Sequence, residues 1–412
     1  MRINVTKPFL PPIEEYVALV GGIFSSQWLT NNGPLVRQLE TQLKHYLKLD
    51  RLCYVSNGTM ALQLAIRGLN LSGEIITTPF SFVATASSIV WEHCRPVMAD
   101  IDPATLNIDP ERIRRAITRQ TSAILATHVF GNPCDVYEIE SIAREYGLKV
   151  IYDAAHAFGT VIDGKSIFSW GDVAATSFHA TKVFHTVEGG AVIARDPAVH
   201  EKLMSMRSFG QSGSEFIHVG TNAKNSEFHA AMGIANLLHI DEVLANRKAL
   251  SDRYDDMLDG ANVSRMLIRV RCIYNEAYYP VIFESETVMN RVLEALRQED
   301  VFPRRYFFPS LSSLNYVGAQ HTPISDDIVS RVLALPLYHG LEIADVDRIA
   351  RIVARECGPR RLHVAATRPA YGGEGNIEWL NVVGSKTTTA DDRHNSFPRS
   401  GVAFCVSPGK DI

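Results

Sequence analysis

A single lysine, Lys182, lies in a short turn between an apolar segment that ends at Phe178 and the pair Gly189-Gly190. Its neighbours are small residues, aromatic residues and histidines, so its amine is expected to be partly shielded from water. Desolvation lowers the pKa of a lysine amine and makes it a nucleophile for carbonyl groups. Most lysines in loops are solvated and unreactive, so Lys182 predicts a reactive site only if other residues complete one.

A carboxylate with matching chemistry follows the apolar segment that ends at Tyr152. Asp153 stands at the carboxyl end of a predicted strand, where it can keep the pyridine nitrogen of pyridoxal phosphate protonated. His156 can reach the hydroxyl group of the same ring, and a buried histidine with structural partners is the alternative. The separation of 29 residues (182 − 153 = 29) fits two successive strand ends that point into one pocket.

An anion site is indicated by Ser56-Asn57-Gly58-Thr59, which connects a predicted strand to a predicted helix. Gly58 permits a close approach, the helix N-terminus offers free N–H groups, and the Thr59 hydroxyl adds a donor for a phosphate. Taken alone, the same residues make an ordinary helix cap. Ser177 can add a hydroxyl, and Phe82 can stack on a cofactor ring, although an aromatic residue at such a position is more often part of the core.

The elements that must position these residues alternate between strands and helices from Leu52 onward. This alternation predicts an α/β fold with a mostly parallel sheet, whose ligands bind outside the carboxyl ends of the strands. Residues 226–257 read as one long helix that links this large domain, residues 1–250, to a smaller domain over residues 251–358. The character of the sequence changes after Gly358, and residues 368–412 are polar and aperiodic, so residues 359–412 are predicted to be a disordered tail.

The composition argues against several classes of function. The 412 residues carry a formal net charge of −4 and no basic block, which argues against binding to nucleic acid or to a membrane surface. Six scattered cysteines without a C-x-x-C pair argue against a metal site or a disulfide framework and favour a cytoplasmic protein. The sequence has no apolar leader and no run of about 18 apolar residues, so we expect no membrane span.

Seven segments occur in the same order as in one known family. They are Leu29-Thr30-Asn31-Asn32-Gly33-Pro34, Ser56-Asn57-Gly58-Thr59-Met60-Ala61-Leu62, Thr78-Pro79-Phe80-Ser81-Phe82-Val83-Ala84-Thr85, Asp100-Ile101-Asp102-Pro103, Tyr152-Asp153-Ala154-Ala155-His156-Ala157-Phe158-Gly159, Ser177-Phe178-His179-Ala180-Thr181-Lys182 with Glu188-Gly189-Gly190, and Ser226-Glu227-Phe228-His229-Ala230-Ala231-Met232-Gly233. On these motifs the chain resembles the DegT/DnrJ/EryC1/StrS family of pyridoxal-phosphate-dependent sugar aminotransferases over residues 4–357. The resemblance implies fold type I, the aspartate-aminotransferase-like α/β fold. Its large domain has a mostly parallel seven-stranded sheet, and a smaller C-terminal α/β domain follows.

The resemblance also implies a role for each matching residue. Lys182 matches the lysine that forms a Schiff base with pyridoxal phosphate, and Asp153 matches the partner of the pyridine nitrogen. His156 stands where many members have a glutamine that contacts the ring hydroxyl. The other implied cofactor contacts are Gly58, Thr59 and Ser177 at the phosphate, Phe82 stacked on the ring, and Asn222, which the partner subunit of a homodimer supplies to the phosphate.

Within the family, the motifs look most like the enzymes that aminate C4 of dTDP-4-keto-6-deoxy-D-glucose, with glutamate as the donor. The implied product is dTDP-4-amino-4,6-dideoxy-D-glucose, a sugar of surface polysaccharides such as O-antigen or of antibiotics. His185, Arg304 and Tyr306 are candidates for contacts to the sugar or the nucleotide, with Arg304 preferred to Arg305, and His185 fits a loop residue away from the substrate equally well. The open alternatives are amination at C3, another nucleotide sugar, and a non-catalytic regulator that binds cofactor or nucleotide sugar.

Overall fold

The computed structural model describes residues 2–359 and the backbone of residues 379–380. The helices of this part of the chain are α1 (Ile13–Ser26), α2 (Pro34–Leu47), α3 (Gly58–Gly68), α4 (Val83–Trp91), α5 (Pro110–Ala116), α6 (Val136–Tyr146), α7 (Pro197–Met206), α8 (Glu227–Leu237), α9 (Ile240–Leu258), α10 (Glu286–Gln298), α11 (Pro323–Arg331) and α12 (Ile343–Cys357). Its strands are β1 (Ile3–Asn4), β2 (Cys53–Val55), β3 (Glu74–Thr77), β4 (Arg95–Met98), β5 (Thr121–Thr127), β6 (Lys149–Asp153), β7 (Val161–Ile162), β8 (Lys165–Ser166), β9 (Val173–Ser177), β10 (Gly190–Ala194), β11 (Gln211–Ser212), β12 (Glu215–Phe216), β13 (Val263–Ser264), β14 (Ile268–Arg269), β15 (Cys272–Ile273), β16 (Tyr279–Phe283), β17 (Val301–Phe302), β18 (Val332–Leu335) and β19 (Trp379–Leu380).

Seven strands form the central sheet, in the order β2-β10-β9-β6-β5-β3-β4. Neighbouring strands run parallel except at β10, which is antiparallel to both β2 and β9. The inner strands are runs of small and branched apolar residues, because both faces of a parallel sheet are covered. The predicted α/β fold with a mostly parallel seven-stranded sheet is confirmed.

The antiparallel course of β10 determines where the lysine turn lies. β9 ends at Ser177 and β10 begins at Gly190, so the residues between them remain at the sheet edge where β2, β6 and β9 end. Gly190 pairs with Ser177 on one side and with Val55 on the other. A Cβ at Gly190 would lie 2.6 Å from the carbonyl carbon of Asn57, so only glycine fits between these strands.

Short polar side chains and prolines fix the beginnings of the helices around this edge. The Asn57 side chain accepts a hydrogen bond from the N–H of Met60 at 2.8 Å and so caps α3. Ser226 accepts one from the N–H of His229 at 3.4 Å and caps α8. The helix α2 begins with proline, whose missing N–H has no partner at that position in any case.

The smaller domain is built on the antiparallel sheet β13-β16-β18 and on α9, α10 and α12. Ile3 belongs to its core, because β1 pairs in parallel with β17. The N-terminal strand thus packs in the core of the smaller domain, although the large domain follows it directly in the sequence. The predicted boundary between residues 250 and 251 falls inside α9, whose first turns belong to the large core and whose last turns belong to the small one.

The prediction of a single helix over residues 226–257 is wrong. The helices α8 and α9 are separated at Leu238 and His239. The N–H groups of these two residues donate to the carbonyls of Ala235 and Asn236, which closes α8 with a tighter turn. The two helices have different partners, because α8 packs on α1 and α2 whereas α9 packs on α12. The buried faces of α8 and α9 therefore point toward different neighbours, which one continuous helix would not allow.

Several further elements were not predicted from the sequence, among them α11, α7 and most of the two-residue strands. The helix α7 begins after Asp196, whose carboxylate accepts a hydrogen bond from the N–H of Ala198 at 2.8 Å. The strand β19 lies in the segment predicted to be disordered and pairs with β14. The rest of that predicted tail, residues 360–378 and 381–412, lies outside the described residues. None of the helices in residues 2–359 is long and apolar enough to cross a lipid bilayer.

A buried ion pair fastens β2 to α2 and to the end of α7. Arg207 Nη1 lies 2.6 Å from Glu40 Oε1, and the two side chains are only 5% and 11% exposed. The same carboxylate oxygen accepts the N–H of Tyr54 at 2.9 Å, and Arg207 donates to the Tyr54 carbonyl at 3.0 Å. The charges thus complete the hydrogen bonding of the strand that leads into the Gly58 turn.

We predict that Arg207→Met lowers the free energy of unfolding by about 3–5 kcal/mol, because the Glu40 carboxylate would remain buried without its cation. The control is Lys248→Met, which breaks an exposed pair with Asp252 and should cost at most about 1 kcal/mol. Urea unfolding followed by circular dichroism measures both variants. An equal decrease in the free energy of unfolding in the two variants would show that the buried pair contributes no more to stability than a surface pair.

Candidate active site

A cleft of about 260 Å³ opens at the sheet edge where β2, β6 and β9 end. Nine of the predicted site residues line it, and they are Gly58, Thr59, Phe82, Asp153, His156, Ser177, Lys182, Arg304 and Tyr306. Two other predicted residues, His185 and Asn222, do not line it. The fold thus brings most of the candidates together, from strand ends of the large domain and from a loop of the small one.

Asp153 is the last residue of β6 and is 5% exposed. Its Oδ2 accepts a hydrogen bond from the Thr85 hydroxyl at 2.7 Å, and its Oδ1 accepts one from the N–H of Ala155 at 3.1 Å. Burial raises the pKa of the Asp153 carboxyl group, whereas these hydrogen bonds and the positive charge of Lys182 act in the opposite direction. Because it lies at the cleft, the carboxylate is placed to accept a hydrogen bond from a protonated ring nitrogen.

Lys182 lies in the turn between β9 and β10, where its N–H donates to the carbonyl of His179 at 2.9 Å. Its side chain is half-buried and lines the cleft. Burial lowers the pKa of the amine below the usual lysine value, and the Asp153 carboxylate partly opposes this change. The neutral amine is therefore available for attack or proton transfer at a lower pH than in a solvated lysine.

The N-terminus of α3 lies against the end of β9, in a geometry that can serve as an anion cradle. A Cβ at Gly58 would lie 2.7 Å from Cβ of Ser177, so glycine allows the helix to approach the strand this closely. The first N–H groups of a helix have no partners within the helix, and they attract negative charge. The hydroxyls of Thr59 and Ser177 lie at the same part of the cleft and can add two donors.

Two ring-bearing residues border the cleft in different ways. Phe82 is 49% exposed, so its ring is free to stack on a ligand and is not part of the core. His156 is buried and stacks on Phe307, with centroids 5.7 Å apart and an angle of 7° between the planes. Burial holds the pKa of His156 well below its usual value, so the imidazole is neutral. Its Nδ1 has no hydrogen-bond partner among the described residues.

The loop after β17 contributes two residues of the small domain. The exposed guanidinium of Arg304 lies over the Tyr306 ring, 4.2 Å from its centroid. Arg305 instead pairs with Glu286 at 3.1 Å, so Arg304 is the arginine of this pair that lies at the cleft. Burial raises the pKa of Tyr306 to about 12, which keeps its hydroxyl protonated and able to donate.

The structure does not bring His185 to the cleft. Its side chain is 2% exposed, and Nε2 lies 2.6 Å from the carbonyl oxygen of Phe9. Asn236 of α8 donates to its backbone carbonyl at 2.9 Å. A buried imidazole needs polar partners, and the N-terminal segment and α8 supply them. The interpretation of His185 as a substrate contact is therefore corrected, since it ties the lysine turn to the N-terminal segment.

Asn222 also lies outside the cleft of its own chain. Its side chain is exposed, and its backbone pairs with Ser208 in an antiparallel bridge. It follows the hairpin formed by β11 and β12, in which every residue is exposed. This position leaves the side chain accessible to another molecule, and the contact of Asn222 with the phosphate stays a prediction.

Several polar residues of the cleft were not predicted from the sequence. Ser81 and Thr127 line it. Ser81 lies within a motif that the sequence displays, but serine is common in loops, so it was not predicted as a site residue. Thr127 lies in no motif, and its pairing with Asp153 in neighbouring strands brings its hydroxyl to the site. His179 and Glu188 also line it, with 3.5 Å between His179 Nε2 and Glu188 Oε1, and both belong to motifs that the sequence displays.

The cleft fits pyridoxal phosphate in its chemistry. It offers a lysine amine, a buried carboxylate, an aromatic face and a helix N-terminus flanked by hydroxyls. The unpartnered Nδ1 of His156 supports this fit, because a buried polar atom without a partner is unfavourable and a ring hydroxyl would supply one. Residues 2–359 contain no cluster of histidine, cysteine and acidic side chains suited to a metal ion.

Comparison with known sequences identifies the family. Residues 13–354 match the DegT/DnrJ/EryC1/StrS aminotransferase family. The chain belongs to this family. The prediction of a pyridoxal-phosphate-dependent aminotransferase from this family is thereby confirmed.

Relatives of this aminotransferase match along most of their length. A protein of Shigella dysenteriae named dTDP-4-amino-4,6-dideoxy-D-glucose transaminase is 42% identical over 344 residues, which cover 82% of this chain and 94% of the relative. A protein of Escherichia coli with the same name is 35% identical over 364 residues, which cover 85% and 98%. The solved structure of DesI in the presence of its TDP-sugar product superposes with a TM-score of 0.80 at 32% identity, covering 86% of this chain and 92% of that one.

We predict that Gly58→Ala weakens the binding of pyridoxal phosphate to this aminotransferase by about tenfold or more, because the added methyl group pushes the helix N-terminus away from Ser177. Fluorescence titration of the cofactor-free protein measures the dissociation constant. The control is Gly21→Ala in α1, where a Cβ meets nothing within 4 Å. Wild-type affinity in Gly58→Ala would contradict the assignment of the cradle.

We predict that Asp153→Asn lowers the pKa of the Lys182 amine further in the cofactor-free protein. The carboxylate favours the charged ammonium, so its loss favours the neutral form. Below this pKa a larger share of the amine is then neutral, and acetic anhydride should acetylate Lys182 faster. Mass spectrometry over a pH series measures the midpoint, with the exposed Lys165 as internal reference. A midpoint that rises in the variant would contradict the electrostatic coupling.

Proposed function

We propose that the protein transfers the amino group of glutamate to C4 of dTDP-4-keto-6-deoxy-D-glucose. The products are dTDP-4-amino-4,6-dideoxy-D-glucose and 2-oxoglutarate, so the sugar exchanges its carbonyl oxygen for the amino group of the donor. The observation that carries the proposal is the meeting of Lys182 and Asp153 in one cleft, in a chain whose relatives bear the name of this activity.

The chemistry divides among the residues of the cleft. The cofactor supplies an electron sink and a carrier for the amino group. Lys182 Nζ, whose pKa is lowered by burial, removes the proton from the α-carbon of glutamate and later delivers a proton to C4 of the sugar. The Asp153 carboxylate would keep the ring nitrogen protonated, and the N-terminus of α3 would hold the phosphate with Thr59 and Ser177. Phe82 would stack on the ring and exclude water from one face.

On the substrate side, we assign Arg304 to the diphosphate of the nucleotide and Tyr306 to the sugar. The Arg304 guanidinium is exposed at the cleft, and guanidinium groups bind phosphate oxygens in bidentate fashion. The Tyr306 hydroxyl stays protonated, because burial raises its pKa to about 12, and it can therefore donate a hydrogen bond to a sugar oxygen.

We infer a homodimer in which Asn222 of the partner subunit completes each site. Several large apolar side chains in the N-terminal segment and around the hairpin β11–β12 are more than half exposed, namely Leu10, Phe24, Phe216, Ile217 and Val219. Exposed apolar surface of this kind is a common mark of an oligomer interface. Asn222 lies just after the hairpin and is itself exposed, so a second copy can receive it. A cytoplasmic location is supported by the cysteines within residues 2–359, all of which are free.

Two alternative functions differ from this one in what they require of the cleft. Amination at C3, or at another nucleotide sugar, would use the same Lys182 and Asp153 and would differ only in the contacts to the sugar. A regulator that binds cofactor or nucleotide sugar without catalysis has no need of a lysine with a lowered pKa in the same cleft as a buried carboxylate. Incubation with glutamate and a panel of keto sugars, followed by location of the new amine by NMR, separates the three. A C3 amine would redirect the proposal, and no transfer with any amino donor would favour the regulator.

We predict that Lys182→Ala abolishes both amino transfer and the covalent link between protein and cofactor, because alanine offers neither a nucleophile nor a base. Borohydride reduction of the wild-type protein with pyridoxal phosphate should add the mass of the cofactor to the peptide that contains Lys182. Lys165→Ala, at an exposed lysine, is the control and should behave as the wild type. Turnover by Lys182→Ala would refute the assignment.

We predict that Lys182→Ala and Asn222→Ala, each inactive or impaired alone, restore activity when their subunits are mixed. In a mixed dimer one site receives both substitutions and the other receives neither, so random pairing should give about one quarter of the wild-type activity. The mixture is prepared by unfolding and refolding the variants together, and self-mixed samples are the controls. Absence of recovery despite mixed dimers would show that Asn222 does not act across the interface.

A further inference from the structure

Three buried hydroxyl groups form a chain that ends on Asp153. Thr127 donates to Ser81 at 3.1 Å, the oxygens of Ser81 and Thr85 lie 2.7 Å apart, and Thr85 donates to Asp153 Oδ2 at 2.7 Å. The three residues are at most 3% exposed. They come from three different places, since Ser81 lies in the loop after β3, Thr85 in the first turn of α4 and Thr127 at the end of β5.

The direction of the hydrogen bonds in this chain follows from counting protons. Each hydroxyl has one proton to donate, and an ionised carboxylate has none. Thr85 must therefore donate to Asp153, Ser81 must then donate to Thr85, and Thr127 donates to Ser81. All three protons point toward the carboxylate, so each hydrogen bond polarises the next and favours the negative charge at the end of the chain.

The chain also restrains the carboxylate in space. Thr85 is β-branched and lies in a helix, where its side chain has few rotamers, and the Ser81 oxygen holds it from the other side. Asp153 Oδ1 is held independently by the N–H of Ala155 at 3.1 Å. Each carboxylate oxygen thus has one fixed donor, which sets the plane of the group and leaves further acceptor capacity.

We propose that Thr85 is a positioning residue that, with Ser81 and Thr127 behind it, fixes the orientation and the ionised state of Asp153. The inference rests on the proposed function, because the carboxylate has this role only toward the ring nitrogen of pyridoxal phosphate. Without the Thr85 hydroxyl, Asp153 Oδ2 would lose its donor in buried surroundings, which disfavours the charge. A protonated Asp153 would no longer hold the ring nitrogen protonated.

The decisive variant is Thr85→Val, which keeps the shape of the side chain and removes the hydroxyl. We expect it to raise the pKa of Asp153 by about one to two units, since a hydrogen bond to the charged form is lost. Carbon-13 NMR of the cofactor-free protein, labelled at the aspartate carboxyl groups, measures this pKa, and the missing signal in Asp153→Asn assigns it. Thr85→Ser should restore the wild-type pKa, because it restores the donor.

The matched control is Thr77→Val. Thr77 is as buried as Thr85, and its hydroxyl donates to the carbonyl of Leu125 at 2.7 Å and not to Asp153. A purely structural role for Thr85 predicts equal and small pKa changes in the two valine variants, and that result would overturn the proposal. If Thr85→Val does not fold, Ser81→Ala takes its place. We expect a smaller rise in the pKa of Asp153 in this variant, and an unchanged pKa would overturn the proposal.

Cofactor binding gives a second readout that separates this inference from the proposed function. Calorimetry with pyridoxamine phosphate should show about tenfold weaker binding in Thr85→Val and wild-type binding in Thr77→Val. A wild-type protein that binds neither pyridoxal phosphate nor pyridoxamine phosphate would refute the proposed function. The NMR measurement would still decide the role of Thr85, because it is made without cofactor.

Discussion

The burial of one carboxylate, that of Asp153, is the constraint on which the cleft depends. An ionised group in a protein interior is unfavourable unless hydrogen bonds and an opposite charge compensate it. The Thr85 hydroxyl, the N–H of Ala155 and the amine of Lys182 supply that compensation. The same surroundings lower the pKa of the Lys182 amine. A single desolvated pocket therefore shifts the pKa values of Asp153 and Lys182 in opposite directions.

The pocket depends on a reversal of strand direction between β9 and β10. β6 and β9 run parallel, so Asp153 and Ser177 end at the same edge, and β10 returns antiparallel from Gly190. The turn between β9 and β10 therefore stays over the strand ends and keeps Lys182 there. A parallel β10 would have to begin at the opposite edge of the sheet, and its connection would lead the chain away from the carboxylate.

Much of the site could be predicted because its residues stand at strand ends or in local motifs. Lys182 and Asp153 follow apolar strands, and Gly58 lies in a strand-to-helix turn, so the rule that ligands bind at carboxyl strand ends applies directly. What the sequence could not predict depends on distant partners. His185 is held by Phe9, 176 positions away, and the Thr85–Asp153 contact joins residues 68 positions apart.

Distant partners also account for the helix that was predicted wrongly. The apolar pattern of residues 226–257 continues through Leu238, but α8 and α9 pack on different helices, and only the tertiary structure shows that change. Asn222 is a different case. Its side chain is exposed outside the cleft of its own chain, so its proposed role depends on a second subunit.

A crystal structure of the protein with pyridoxamine phosphate and dTDP-4-keto-6-deoxy-D-glucose would test the arrangement most directly. We predict that the ring nitrogen lies about 2.7–3.0 Å from a carboxylate oxygen of Asp153, with the phosphate at the N-terminus of α3 and C4 of the sugar within reach of Lys182 Nζ. A ring bound away from Asp153, or a sugar whose C4 lies out of reach of Lys182, would contradict the account.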